Sequence, residues 1–153
     1  MKKIAILIMF VVISGSLFSQ HQGLGLGIRV GEPTGFNAKY WMNDRNAFSF
    51  NLGYALSSNS RLHISADYLY HLYDLIDIPE NQNSVPFFYG FGVRLVTREI
   101  GESSVGARGV VGAAWFLRET PVDIFIEFAP VFRLFPSTGI DFDAAVGARY
   151  FFQ

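Results

Sequence analysis

Residues 123–135 read DIFIEFAPVFRLF. Asp123, Glu127 and Arg133 carry the charge, and all three fall at odd positions. Every even position is apolar: Ile124, Ile126, Phe128, Pro130, Phe132 and Leu134. Successive side chains of a β-strand point to opposite faces, so this segment is a strand with one purely apolar face and one that hides charge.

The same period of two continues outward in both directions, and no amphipathic helix competes with it. GLGLGIRVG (23–31) sets Leu24, Leu26, Ile28 and Val30 against Gly23, Gly25, Gly27 and Arg29. FNAKYWM (36–42) sets Phe36, Ala38, Tyr40 and Met42 against Asn37 and Lys39. AFSFNLGYAL (47–56) alternates Phe48, Phe50, Leu52, Tyr54 and Leu56 with small or polar residues. A fourth strand opposes Leu62, Ile64, Ala66, Tyr68 and Tyr70 to Arg61, His63, Ser65, Asp67 and His71. A fifth opposes Phe87, Tyr89, Phe91, Val93 and Leu95 to Gly90, Gly92 and Arg94. A sixth opposes Val105, Ala107, Val111, Ala113, Trp115 and Leu117 to Gly106, Arg108 and Gly112. The opening stretch is the seventh. IDFDAAVGARYFF (140–152) is the eighth, with Ile140, Phe142, Val146, Tyr150 and Phe152 opposite Asp141, Asp143, Gly147 and Arg149.

Alternation alone does not say which face is inside. Three features choose. The bulky residues gather on one face, and the other carries Gly, Ala, Ser and charge, lean enough to line a narrow interior. The strands match the ~9–11 residues that cross a bilayer when tilted. Tyr40, Tyr70, Trp115 and Tyr150 close the even-numbered strands on the apolar face, so alternating strands place them at one end as an interfacial girdle. The reading is an all-β, eight-stranded antiparallel up-and-down transmembrane β-barrel with a polar, plugged lumen. Lipid offers no partner to free backbone groups, so such a sheet must close.

Bulk properties agree. The chain of 153 residues is 50% hydrophobic and only 16% charged, below the roughly 25% of ordinary soluble domains. Lys2 and Lys3 followed by the apolar run Ile4–Ile13 and the segment SGSLFSQ predict a secretory signal over residues 1–19, with the barrel over 20–153. The run is short against the ~20 residues of a spanning helix. There is no cysteine, so neither disulfides nor a lipidated N-terminal cysteine are available. Without Lys2 and Lys3, ten basic residues face thirteen acidic ones, a net charge of −3 that gives no reason to expect nucleic acid.

An eight-stranded lumen is just filled by side chains, so its charges must pair. The inward bases Arg29, Lys39, Arg61, Arg94, Arg108, Arg133 and Arg149 nearly balance the inward acids Asp67, Asp123, Glu127, Asp141 and Asp143. These twelve form the expected lumen charge network, structural rather than catalytic, with no cofactor and no metal. GLGLG lacks the preceding strand and following helix of a nucleotide loop. His63, Asp67 and His71 share a face, but about 13 Å separates each histidine from Asp67, too far for one ion. Asp141 and Asp143 are better read as salt-bridged than as an acid–base pair. His63 and Ser65 are same-face neighbours in the arrangement used by outer-membrane lipid A deacylases, yet both point into the lumen.

GARYFF (147–152) resembles the C-terminal signal read by the outer-membrane assembly machinery, with Val146 and Gln153 as departures. The chain as a whole resembles the small eight-stranded outer-membrane barrels of OmpA/OmpX type. More narrowly, GEPTGFNAKYW (31–41), SADYLYH (65–71), VPFFYGFGVRL (85–95) and PVDIFIEFAPVF (121–132) resemble a family of outer-membrane barrels found in spirochaetes. The resemblance implies an outer-membrane location and carries over no functional residues. The expectation is therefore a monomeric, non-enzymatic, non-conducting barrel of structural or surface-interaction role, in contact with outer-membrane lipid and the assembly machinery. A lipid A-modifying hydrolase and a periplasmic lipocalin-like binder of apolar ligands are the alternatives. Two points strain the scheme: Pro130 lies mid-strand and predicts a bulge or kink, and the long segment 73–84 falls at the periplasmic end, where such barrels keep turns short.

Overall fold

A computed structural model describes residues 23–55, 61–76, 84–98, 101–117 and 119–152. The signal segment expected at 1–19 lies outside them. Eight strands occur among the described residues: β1 (Leu24–Glu32), β2 (Thr34–Trp41), β3 (Asn46–Ala55), β4 (Arg61–Leu72), β5 (Phe87–Arg98), β6 (Ser104–Phe116), β7 (Val122–Phe135) and β8 (Gly139–Phe152). Each pairs antiparallel with its sequence neighbours, and β1 pairs with β8 to close the cylinder. An up-and-down order needs only hairpin connections, and closure removes the free edges that an open sheet would expose.

Local chemistry sets the turns. Asn43 stops β2 by accepting hydrogen bonds on its side-chain oxygen from the backbone N–H groups of Arg45 (3.0 Å) and Asn46 (2.9 Å), and β3 begins there. Between β1 and β2, the Thr34 hydroxyl donates to the Gly31 carbonyl (2.8 Å) and accepts from the Gly31 N–H (3.1 Å). Gly31 has φ 151°, a backbone region few other residues adopt.

The alternation holds all the way round. Phe36, Phe50, Leu52, Phe91, Ile126, Phe128 and Phe142 stand on the outer surface, with Phe91 70% exposed and Phe36 67%. Arg29, Lys39, Asp67, Arg94, Arg108, Asp123, Glu127, Asp143 and Arg149 are buried in the lumen. Tyr40, Tyr70, Trp115 and Tyr150 lie on strands β2, β4, β6 and β8 near the end of the barrel where β1 begins and β8 ends. There Tyr70 pairs across from Tyr89, with ring centroids 5.7 Å apart. The connection from Leu72 to Phe87 is at this same end, as the strand count required.

The structure corrects three expectations. Bulk is not confined to the outside: Trp41, Leu69, Phe88, Val110, Phe116, Phe125 and Phe151 are buried in one apolar cluster inside the barrel. Pro130 causes no bulge. The β6–β7 ladder skips Gly109 and Val110 opposite Ala129 and Pro130 and resumes in the same register, and the actual shift lies between Val105 and Gly106. Strand β5 runs past Leu95 to Arg98, which brings Val96 and Arg98 onto the lumen face.

The interior rings fit because of where the glycines are. Phe151 stands directly across from Gly25, Phe88 from Gly112 and Phe125 from Gly147. A Cβ on Gly25 would meet the Phe151 ring at 2.5 Å, and one on Gly147 would meet the Phe125 ring at 2.5 Å. Each ring therefore lies over a neighbouring strand where no side chain rises. Replacing Gly147 by Ala overpacks this contact and should lower stability by about 1–3 kcal/mol. Urea refolding curves in detergent micelles measure that loss, and an unchanged midpoint would remove the steric reading of the Phe–Gly pairs.

Candidate functional site

The lumen divides along the barrel axis. At the end where β1 begins and β8 ends it is occupied by the apolar cluster, with Tyr73, just beyond β4, packed against it. Burial pushes the Tyr73 phenol up to about 12, so it stays neutral at ordinary pH. Two cations are embedded here. The Lys39 ammonium sits 4.2 Å from the Trp41 ring centroid, with Phe88 and Phe116 at 5.6 and 5.9 Å, and 2.8 Å from His71 Nε2. Arg149 lies over Phe125 at 4.0 Å and grips Asp123 with two parallel bonds, Nε to Oδ1 at 2.8 Å and Nη2 to Oδ2 at 2.9 Å. The faces of aromatic rings are electronegative, so the same rings that plug the barrel also solvate these cations.

Midway along the axis the apolar filling gives way to ions. Glu127 Oε1 accepts from Arg29 Nη1 (2.8 Å) and Arg108 Nη2 (3.2 Å). Arg108 also reaches Asp143 Oδ2 at 3.1 Å and Asp67 Oδ1 at 3.0 Å. The Arg108–Asp67 approach is an ion pair only, because neither atom meets hydrogen-bond geometry. Gly92, directly across from Asp67, leaves the space this carboxylate occupies, since a Cβ there would strike the Asp67 side chain. Towards the opposite mouth, Arg94 donates to Asp143 Oδ1 at 2.6 Å and to Asp141, and Arg133 reaches Asp141 at 3.4 Å.

Amides and hydroxyls join these groups into one web. Arg149 donates to Asn37 Oδ1 (3.2 Å), Asn37 to Asn51 Oδ1 (2.7 Å) and Ser49 (3.0 Å), and Asn51 to Ser65 (3.0 Å) and Asp67 (3.3 Å). Asp67, Arg108 and Arg149 thus have both an ionic partner and a neutral hydrogen-bonding one, which helps to satisfy charge in a dry interior.

Ten of the twelve residues singled out from the sequence meet here as ion pairs: Arg29, Asp67, Arg94, Arg108, Asp123, Glu127, Arg133, Asp141, Asp143 and Arg149. Lys39 and Arg61 do not join them. Lys39 is held by His71 and aromatic rings instead of a carboxylate, and Arg61 faces a cavity at the mouth with its Nε unpartnered. Arg98 lines the same cavity and was missed; continuing the alternation of the fifth strand by three residues would have found it. The aromatic box around Lys39 was missed because Trp41, Phe88 and Phe116 occupy lumen positions where only polar and small residues were sought.

The other chemical candidates separate. His63 and Ser65 both face inward, but neither ring nitrogen of His63 has a hydrogen-bond partner, and the Ser65 hydroxyl accepts from Asn51 and Arg108. His63 therefore does not hold Ser65 as a base would. His71 is turned to Lys39 and to the Arg45 carbonyl, away from His63. No group of three or more metal-ligating side chains occurs among the described residues.

The fold has solved counterparts. The chain is similar to the N-terminal β-barrel domain of OprF from Pseudomonas aeruginosa, with a TM-score of 0.61 and 12% identity over 85% of this chain and 97% of that one. It is also aligned with Neisserial surface protein A, NspA, at a TM-score of 0.48 and 14% identity over 83% of this chain and 92% of that one. The OprF likeness shows a shared barrel fold. No family model and no curated protein matches the sequence.

Removing one member of a buried pair strands the other. Asp123→Leu leaves the Arg149 guanidinium uncompensated and should cost about 3–5 kcal/mol, as should Arg149→Met for the stranded carboxylate, whereas the two combined should cost far less. Equilibrium refolding of the two single variants and the double variant gives the coupling. Additive losses would mean that the pair is not the unit of stability.

Proposed function

We propose that this chain is an integral outer-membrane β-barrel protein, acting as a monomer in envelope structure or surface interaction rather than as a pore or an enzyme. The observation that carries the reading is the outer surface. Around the closed sheet, the outward positions of β1–β8 are dominated by Leu, Ile, Val, Phe and Tyr, from Leu24 and Ile28 round to Phe142 and Val146, and Glu32 at the very end of β1 is the one charged residue at an outward position of these strands. Monomeric soluble proteins seldom expose contiguous apolar patches beyond a few hundred Å². A bilayer core suits such a surface, and β4–β8, at 12 to 14 residues, are long enough to cross it at a tilt. The tyrosines and Trp115 at one end suit the polar–apolar boundary.

The location follows from the same physics. Closed barrels are the strand-based solution to a water-free core, and they are the architecture of outer membranes. Tyr150 and Phe152 project outward from the last strand, with ring centroids 5.2 Å apart, where the assembly machinery could read them. The likeness in fold to the OprF barrel domain supports the architecture, and the narrower resemblance to the spirochaete-type barrels adds no residue roles.

The rival readings have less support. A lipid A hydrolase would need His63 and Ser65 joined and facing lipid, and they are neither. A lipocalin-like binder would need an apolar cavity, and here the lumen is filled with ions at one end and packed rings at the other. The filled lumen also argues against conduction. Planar-bilayer recordings should show no steady single-channel steps, and the protein should resist extraction from membranes by alkaline carbonate. Ile126→Arg, at mid-height on the outer face, should destabilise the barrel by about 2–4 kcal/mol in lipid vesicles. A neutral Ile126→Arg, or release into the carbonate wash, would count against the membrane reading.

A further inference from the structure

We propose that the mouth of the barrel where β4 begins and β5 ends is a binding site for a phosphate-type oxyanion, held by Arg61 and Arg98 with His63 beneath them. A cavity of about 230 Å³ opens there, lined among others by Glu32, Arg61, His63, Arg94, Arg98 and Ser104. Three guanidinium groups and the carboxylates of Glu32, Asp141 and Asp143 face it, but they are not equally committed. Arg94 is bound by both Asp141 and Asp143, and Asp141 is shared with Arg133. Asp143 is shared with Arg108. No ion pair reaches Arg61 or Arg98 among the described residues, and each has a buried Nε without a hydrogen-bond partner.

Their placement sharpens the point. Arg61 on β4 stands directly across from Arg98 on β5 in the strand register. Like charges directly opposed on a sheet destabilise it. Elsewhere in this lumen each arginine is met by a carboxylate. Below the pair lies His63, 6% exposed, with neither ring nitrogen partnered. A buried polar side chain left unsatisfied in this way is costly, and here it lines the same space.

One ligand chemistry resolves all three features. A tetrahedral oxyanion offers several acceptor oxygens, enough for two guanidinium forks and an imidazole N–H at once, and its charge separates the opposed arginines. A carboxylate offers only two oxygens. Glu32, at the rim, is the opposing charge and limits the site to ligands that keep their oxygens on the β4–β5 side. The phosphoryl group could be that of a dissolved ion or of a lipid headgroup, and the two sources present the same oxygens.

The full barrel, refolded in an uncharged detergent, is titrated with inorganic phosphate and followed by phosphorus NMR line broadening. In a second arm it is reconstituted into phosphatidylcholine vesicles with or without phosphatidic acid, and tryptophan-independent protection of the β4–β5 rim amides is read by hydrogen exchange. Wild type should bind saturably in at least one arm. The Arg61→Gln, Arg98→Gln double variant should weaken that binding about tenfold or more, the scale of losing a charge-assisted hydrogen bond. Arg45→Gln, exposed at the other end of the barrel beside Asp74, should leave it within a factor of two or so on the same scale. Saturation by inorganic phosphate assigns the free ion; protection only with phosphatidic acid assigns the headgroup. Absence of saturable binding in both arms, or equal binding by wild type and the double variant, overturns the site. Resistance of the double variant to unfolding in the same detergent confirms that the comparison is between folded barrels. The detergent arm does not depend on the membrane reading, so its failure leaves that reading standing.

Discussion

A cylinder of eight strands has an interior only wide enough for the side chains that line it. Everything distinctive about this chain follows from that constraint. With no room for bulk water, an inward charge must find its counter-charge on another strand, and an inward ring must find a place where the neighbouring strand is bare. Arg29 on β1 meets Glu127 on β7, one strand away past β8, at 2.8 Å, and Phe151 meets Gly25 on the adjoining strand. Both are matches of size or charge between nearby strands. Such a lumen works as a set of matched pairs, and the closeness of the match explains why so many of the chain's 15 glycines fall on inward positions.

The outer face has no such requirement. Its side chains touch one another only along the surface, as Phe48 and Tyr68 do at 5.6 Å or Phe128 and Phe142 at 5.7 Å. That freedom allows a nearly uniform apolar coat, and the inside carries the information. Strand register couples the two faces: slipping one strand by a single residue would move its charges outward and its phenylalanines inward. The ion pairs therefore add specificity of register as well as whatever stability they contribute, because each wrong register leaves a charge unpartnered in a dry space.

Much of this was legible in the sequence because a period of two is the plainest signal a strand gives. DIFIEFAPVFRLF places Asp123, Glu127 and Arg133 on one side without ambiguity, and antiparallel order then brings them near Arg149, Arg29 and Asp141. The apolar plug was not legible. Phe125 lies on the charged face of that same stretch, yet nothing in a single strand says that an inward phenylalanine is tolerated; the permission comes from Gly147 on the next strand, a match that exists only once register is known. Trp41 was obscured for a similar reason, since its acceptability depends on Lys39, two residues away, needing an electronegative ring where no carboxylate reaches. Pro130 misled in the other direction. It removes a backbone donor, but the pairing lapses only at Gly109 and Val110 and resumes in the same register, so no extra residue is forced.

The two halves of the lumen are consequently unlike in what they permit. Rings at the end where β1 begins and β8 ends pack against one another and enclose Lys39 and Arg149. At the opposite mouth the lining is charged and surrounds a cavity, and among the described residues Arg61 and Arg98 have none of the ion pairs that hold Arg29, Arg94, Arg108, Arg133 and Arg149. An interior built from matched pairs is rigid wherever the match is complete, so function that depends on binding falls where it is incomplete. That is a consequence of chain geometry: the last inward position of each strand faces only one neighbouring layer, and a charge there can be left for something outside the protein to complete.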